Sequence, residues 1–289
     1  MPGARWFPGA RLNFAENMLR FRDDHPAVIF RAENGSSRRL SYAELQAQTA
    51  WLAAALRDLG VGAGDRVAGF LPNLPETVVA MLAATSLGAT WSSCSPDFGF
   101  RGVMDRFCQV RPKVLFTADG YFYGGKTFDS LARVAEIKAS LASLAQVVVA
   151  PFTQEAPDLS PVPGAVLFPD LLGRGAPPAR SFAPLPPDHP LYVLYSSGTT
   201  GVPKCLVHGA GYVLVQHLKE LGLHSDLRLA FLSRAGGALG LRGPGEDHHL
   251  RRQRPLSGGH REPRAEAGRA IRPGRLADHP VHRVSPGRR

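Results

Sequence analysis

The chain is predicted to be an α/β protein: a parallel sheet flanked by helices, followed by a disordered basic tail. Two observations carry this. Between residues 41 and 223, short apolar runs alternate with stretches of helical periodicity. Strands that are apolar throughout and separated by helices belong to a parallel sheet covered on both faces. After about Leu232 the composition changes. Residues 234–289 contain 13 arginines, no lysine and no aromatic residue, and Leu, Ile, Val and Phe make up only 8 of the 56 positions. That is too little apolar surface to form a core.

In chain order, "SYAELQAQTAWLAAALRDLG" is the clearest helix. Ser41 and Glu44 have capping-box spacing, in which each side chain satisfies a backbone N–H at the helix start. Leu45, Leu52, Leu56 and Leu59 form one apolar stripe. Gly60 ends the helix because glycine adopts the left-handed conformation without a Cβ penalty. "DRVAGFLP" is a strand and "PETVVAMLAATSLG" a helix with Pro75 in its first turn, where the missing N–H costs nothing. "ATWSSCS" (strand), "GFRGVMDRFCQV" (helix), "KVLFTAD" (strand), "FDSLARVAEIKASLASL" (helix) and "QVVVA" (strand) follow. The proline-rich residues 151–190 read as an irregular surface connection. "LYVLYSS" is a strand, "CLVH" another and "GYVLVQHLKELGL" a helix.

The net charge of +10 would suggest a nucleic-acid partner if it were spread over the chain. It is concentrated in the tail. Residues 234–289 hold 13 of the 34 basic and 5 of the 24 acidic residues, which leaves the body nearly balanced. The tail also lacks interleaved aromatics, so a nucleic-acid partner is not expected. No apolar stretch has the length of a secretory signal or a membrane span, so no membrane partner is expected. Cys94, Cys108 and Cys205 have no CxxC spacing, which fits a cytoplasmic protein without disulfides or a zinc site. All three read as buried small apolar residues.

The chain has five lysines, and Lys204 stands at the exit of a hydroxyl- and glycine-rich loop, "YSSGTTGVPK". Gly198 and Gly201 let backbone N–H groups approach an anion, and Ser196, Ser197, Thr199 and Thr200 add hydroxyl donors. Lys204 supplies a mobile positive charge, and Pro203 restricts the backbone just before it. The pattern is not the GxxxxGK[ST] loop that opens into a helix. A β-type run follows Lys204, so phosphates would be held between two strands.

"YSSGTTGVPK" resembles the signature loop of the adenylate-forming enzymes, which include acyl-CoA synthetases, luciferases and peptide-synthetase adenylation domains. The helix–strand–helix of "SYAELQAQTAWLAAALRDLGVGAGDRVAGFLPNLPETVVAMLAATSLGA" is similar to the opening of the same superfamily. "WFPGARLNFAENML", "WSSCSPDFGFRGVMDRFCQVRPKVLFTADGYFYGGK" and "HPLYVLYSSGTTGVPKCLVHGAGYVLVQHLKELGLHSDL" resemble its acetoacetate–CoA ligase branch. The likeness spans roughly residues 5–228. It implies an incomplete N-terminal adenylation domain over residues 1–228 and a non-matching tail over 229–289. It also implies ATP, Mg²⁺, acetoacetate and coenzyme A as the small molecules used. In that picture Ser197, Thr199, Thr200 and the loop N–H groups wrap the β- and γ-phosphates. Lys204 neutralises them and is the side chain the chemistry depends on most. "GYFYGGK" (120–126) is expected to be a loop after a strand end, and the resemblance places Lys126 near the coenzyme A nucleotide. An ordinary exposed lysine is the alternative reading. "WSSCSPDFG" (91–99) would border the coenzyme A or acyl site, with Trp91 itself read as core. His208 would line the site or serve the structure. His248 and His249 lie in the tail.

The resemblance also implies segments that do not follow: an aromatic acyl-pocket segment, an acidic region, a hinge and a small C-terminal domain with its lysine. The composition of the tail is that of a GC-rich gene read out of frame, and a frameshift near residues 228–234, real or from sequencing, is the expectation. The chain alone is then expected to show little turnover, and its exposed apolar edges to favour aggregation. An acetyl- or propionyl-CoA synthetase fragment and a non-catalytic nucleotide-binding remnant are the rival readings.

Overall fold

The computed structural model describes residues 7–196 and 201–225. The tail, with His248 and His249, lies outside the described residues, as do Ser197, Gly198, Thr199 and Thr200. The expectation of a disordered 229–289 therefore falls on residues not described.

The elements are α1 (Phe14–Met18), β1 (Pro26–Arg31), β2 (Ser37–Ser41), α2 (Tyr42–Asp58), β3 (Arg66–Phe70), α3 (Pro75–Ser86), β4 (Thr90–Cys94), α4 (Phe100–Val110), β5 (Val114–Ala118), β6 (Gly120–Tyr123), β7 (Lys126–Asp129), α5 (Leu131–Ser140), β8 (Gln146–Ala150), β9 (Val166–Leu167), β10 (Pro190–Ser196), β11 (Lys204–Gly209) and α6 (Ala210–Lys219). Among the described residues the main sheet has seven strands, in the order β11-β10-β4-β3-β5-β8-β9. All neighbours are parallel except the β10–β11 pair. The α/β expectation holds, with one antiparallel strand at the edge.

Parallel strands must be joined by crossovers, and right-handed crossovers fix the face each helix covers. From β3 the chain passes through α3 to β4 on one side. From β4 it passes through α4 to β5 on the other side of β3, and then through α5 to β8. Reversing the direction of travel reverses the face. The core is accordingly split in two. Val67, Val114, Phe116 and Val148 pack with Leu52, Leu56, Val79 and Ala83 from α2 and α3. Ala68, Phe70, Leu115, Val147 and Val149 pack with Val103, Phe107, Val134 and Ile137 from α4 and α5.

Local rules account for the element ends. Ser41 and Glu44 form the reciprocal capping box, with Glu44 N–H donating to Ser41 Oγ at 3.1 Å and Ser41 N–H to Glu44 Oε2 at 2.7 Å. Asn13 caps α1 through Oδ1, and its Nδ2 donates to the carbonyls of Thr85, Ser86 and Ala183, tying three separate segments together. The helix expected from Phe128 begins instead at Leu131. Residues 126–129 pair with β6, and the Asp129 carboxylate accepts the N–H groups of Leu131 and Ala132. The strands β1 and β2 form a separate hairpin that the sequence reading did not separate from its surroundings. Residues 151–190 are mostly irregular, as expected, but contribute the edge strand β9 and the buried Phe168.

Asp119 is 1% exposed. Its carboxylate accepts the N–H groups of Phe152 (2.6 Å), Thr153 (3.1 Å) and Gln154 (2.8 Å), and also the Thr153 hydroxyl. Four donors on one carboxylate hold the end of β5 against the turn after β8. Asp119→Ala strands several buried donors and is expected to cost about 3 kcal/mol or more. Ser41→Ala, at an exposed cap, should cost about 1 kcal/mol. Urea unfolding of the two variants checks the order, and equal losses would contradict it.

Candidate functional site

The chain leaves β3 towards β4 and returns past it to β5, so the loops after β3 and β5 diverge at the carboxyl ends of these strands. Open α/β sheets place ligands in that crevice. A cleft of about 400 Å³ opens there, lined by Leu71–Asn73 after β3, Ser93–Asp97 at the end of β4, Thr77 on α3 and Tyr121–Tyr123 on β6. Its size suits a small organic ligand.

The segment 120–126, expected to be a loop, is instead half of the β6–β7 hairpin. Gly124 (φ 58°) and Gly125 (φ 73°) both take the left-handed conformation that a two-residue hairpin turn requires. Lys126 opens β7 opposite Tyr123, which lines the cleft; Lys126 itself is not among the lining residues. A Cβ on Gly120 would lie 2.3 Å from the Phe128 carbonyl oxygen, so no larger residue fits the root of the hairpin. Phe122 packs edge-on against Phe152 at 5.1 Å and fixes the hairpin to the sheet.

β10 lies beside β4 with Tyr192 level with Trp91 and Val193 with Ser92, so its carboxyl end reaches the same edge of the sheet. β11 returns antiparallel, and Ser196 pairs directly with Lys204. The strand–loop–strand arrangement anticipated for this loop is thus present in its two described ends. Paired residues project from the same face, which sets Ser196 and Lys204 side by side at the mouth of the loop. Gly201 has φ 129° with open space around it, a conformation that favours glycine. Lys113 and Lys219 are ion-paired with Asp65 and Glu220, and Lys138 donates to the Pro163 carbonyl. Lys126 and Lys204 are exposed and have no such partner among the described residues.

Behind the hairpin, Ser92 Oγ donates to the Val193 carbonyl at 3.0 Å and accepts from the Tyr195 hydroxyl at 2.7 Å. The Arg106 guanidinium lies over the Phe98 ring at 4.5 Å and the Tyr195 ring at 5.5 Å. Burial pushes the Tyr195 phenol well above its ordinary range, only partly offset by the Ser92 hydrogen bond. The neutral Tyr195 hydroxyl braces Ser92 behind the hairpin. Burial likewise pushes the Cys94 thiol up to about 12, with Arg106 a smaller opposing influence.

Trp91 is buried, in contact with Phe116 at 6.3 Å, which supports its reading as core. His208 pairs with Tyr192, with ring centroids 5.1 Å apart. The expectation of three buried cysteines holds for Cys94 alone. Cys108 is exposed and Cys205 half-buried, because α4 buries the stripe Val103, Phe107, Val110 and turns Cys108 outward. Ser92, Arg106 and Asp119 escaped the sequence reading. Arg106 and Gln109, one turn apart on α4, could have been seen as one surface, but nothing local shows that β10 and β11 lie against it.

The family model for AMP-binding enzymes matches residues 14–233, and the chain belongs to that family. Several of its relatives are acetoacetyl-CoA synthetases. The acetoacetyl-coenzyme A synthetase of Rhizobium meliloti (strain 1021) is 51% identical over 229 residues, covering 79% of this chain and 35% of that protein. The acetoacetyl-CoA synthetase of Gallus gallus is 45% identical over 229 residues, covering 77% of this chain and 34% of that protein. The solved acetoacetyl-CoA synthetase from Streptomyces lividans superposes with a TM-score of 0.72 at 51% identity, over 78% of this chain and 34% of that one. The chain therefore spans about a third of the length of the relatives it matches. Among the described residues, no helix is long and apolar enough to cross a membrane.

The thiols give a direct check. Iodoacetamide at pH 8 should label Cys108 and Cys205 in the folded protein and leave Cys94 unmodified until denaturant is added. The Cys94 pKa is held above its ordinary 9.0 in the folded state, so the unfolded chain loses the proton first. The stability this contributes is complete below pH 9 and falls as pH climbs towards 12. Unfolding midpoints should decline over that interval, and less steeply in Cys94→Ala. An identical slope in the two proteins would contradict the assignment.

Proposed function

We propose that this chain supplies the phosphate-binding edge of an acetoacetate–CoA ligase. In the reaction, the carboxylate of acetoacetate attacks the α-phosphorus of ATP, forming the P–O bond of an acyl-adenylate and releasing pyrophosphate. The thiol of coenzyme A then attacks the acyl carbon, and AMP leaves with the electron pair of the broken C–O bond. The observation that carries this reading is the Ser196–Lys204 pairing at the carboxyl edge of the sheet, which holds an exposed lysine at the mouth of the hydroxyl-rich loop.

The first step concentrates negative charge on the departing pyrophosphate. The enzyme's contribution is to place donors and a cation there in advance. Ser196, Ser197, Thr199, Thr200 and the N–H groups around Gly198 and Gly201 hold the β- and γ-phosphates, and Lys204 balances their charge. Lys204 acts by position and charge and moves no proton. When bound with the triphosphate, Mg²⁺ would supply Lewis-acid charge neutralisation; no described residue is assigned as its ligand. Lys126, paired with Tyr123 next to the cleft that Tyr121–Tyr123 line, takes a phosphate of the coenzyme A nucleotide. The cleft between β3, β4 and the β6–β7 hairpin is then the side from which the thiol arrives. The identity of the acid rests on the likeness to acetoacetyl-CoA synthetases over residues the two share.

A charge-assisted contact to phosphate lost from the site should weaken ATP binding by about ten- to a hundredfold. Equilibrium dialysis of Mg–ATP with the 289-residue chain and with Lys204→Ala measures this. Unchanged ATP affinity in Lys204→Ala would overturn the assignment. Lys126→Ala should leave ATP affinity unaltered and weaken coenzyme A instead.

A further inference from the structure

Both neighbours of Lys204 are held by one side chain. Gln109, on the exposed side of α4, donates from Nε2 to the Pro203 carbonyl at 2.9 Å. The same nitrogen donates to the Asp105 carbonyl one turn back in α4 at 2.6 Å. Its Oε1 accepts from the Cys205 thiol at 3.4 Å. The amide has two N–H donors and one carbonyl acceptor, and each of these capacities is engaged. The orientation is determined as well: turning the amide over would set its oxygen against two carbonyls. The bond to Asp105 fixes the amide relative to α4, and the other two fix the chain on either side of Lys204 relative to the amide.

Lys204 needs such a fixture. Among the described residues, β11 is the outermost strand of the main sheet and is paired only with β10. Lys204 is its first residue, where a ladder has the least support. A lysine side chain is long and flexible, so the charge can be delivered to one place only if the backbone beneath it is held. The helix that provides the hold starts just beyond Ser95–Asp97, which line the cleft. It also covers Tyr195, the last β10 residue before Ser196, through Arg106. One rigid helix thereby references both strands of the hairpin to the cleft.

We propose that Gln109 is a positioning residue that fixes the backbone around Lys204 and so sets the affinity of the loop for a triphosphate. The second half of this statement rests on the phosphate-binding reading of Lys204; the first half does not. Two variants of the 289-residue chain test it. Gln109→Ala removes all three contacts. Gln109→Glu keeps an acceptor for Cys205 and faces the two carbonyls with a carboxylate. Both are at an exposed helix position, and α4 itself should remain intact.

Amide hydrogen exchange at those of Lys204, Cys205 and Leu206 whose N–H faces β10 should rise about three- to tenfold in both variants, the range expected for one net hydrogen bond. Exchange within Val103–Phe107 should not change. Alkylation of Cys205 should quicken in Gln109→Ala. Dialysis should show ATP bound about three- to tenfold more weakly, with AMP, which lacks the β- and γ-phosphates, unaffected. Unchanged exchange at 204–206 would overturn the clamp. A wild type that binds ATP, with variants that bind it equally well or lose ATP and AMP alike, would overturn its link to the triphosphate. Faster exchange in variants of a wild type that binds no ATP would leave the clamp standing and reject the phosphate-binding reading.

Discussion

The carboxyl edge of this molecule depends on β3 being flanked by parallel strands that the chain reaches in opposite directions. A strand so placed is buried on both faces, and Val67, Ala68 and Phe70 are at most 1% exposed. With crossovers of one hand, opposite directions of travel force α3 to one face and α4 to the other. The loops leaving β3 and β5 must then part, and the cleft is what lies between them. Gly69 shows how tightly the centre is built. A Cβ there would sit 2.7 Å from Leu71 Cδ2 and 2.8 Å from Trp91 Cζ2. The strand is kept thin at that point so that Trp91 can fill the layer above it.

The same constraint explains why one helix serves two sites. Because α4 must cross from β4 past β3 to β5, its first turn adjoins the cleft. Its outer side meets the hairpin formed by β10 and β11. Phe98, Arg106 and Tyr195 stack in succession, and Gln109 reaches Pro203 and Cys205. Under the function proposed above, rigidity is useful here because charge must be held in place before the bond is made.

Much of this was legible in the sequence, for identifiable reasons. The β3–α5 alternation, the Ser41–Glu44 box and the hairpin around Lys204 follow from period, caps and short apolar runs, all of which are local. What stayed hidden depends on contacts between distant segments. The Gly124–Gly125 turn reads as a loop until Phe152 is known to pack beneath Phe122. Cys108 and Cys94 look alike in sequence, and only the side of α4 that turns inward separates them. Gln109 gives no signal by itself, because its partners in the hairpin are 94 and 96 residues away.

The parallel contact between β10 and β4 joins Ser92 to Val193, separated by 101 positions. The trio β4-β3-β5, by contrast, is complete within residues 66–118. Closing a long stretch of chain costs more entropy than closing a short one, and such contacts form late. On a ribosome the central strands and α3–α4 would therefore be available as a template well before the hairpin emerges. The Ser92 hydroxyl, the Arg106 platform and the Gln109 amide then form a seat that is finished before its occupant is synthesised. The order in which the chain is made thus matches the order in which these contacts can close, the central strands first and the β10–β11 hairpin last.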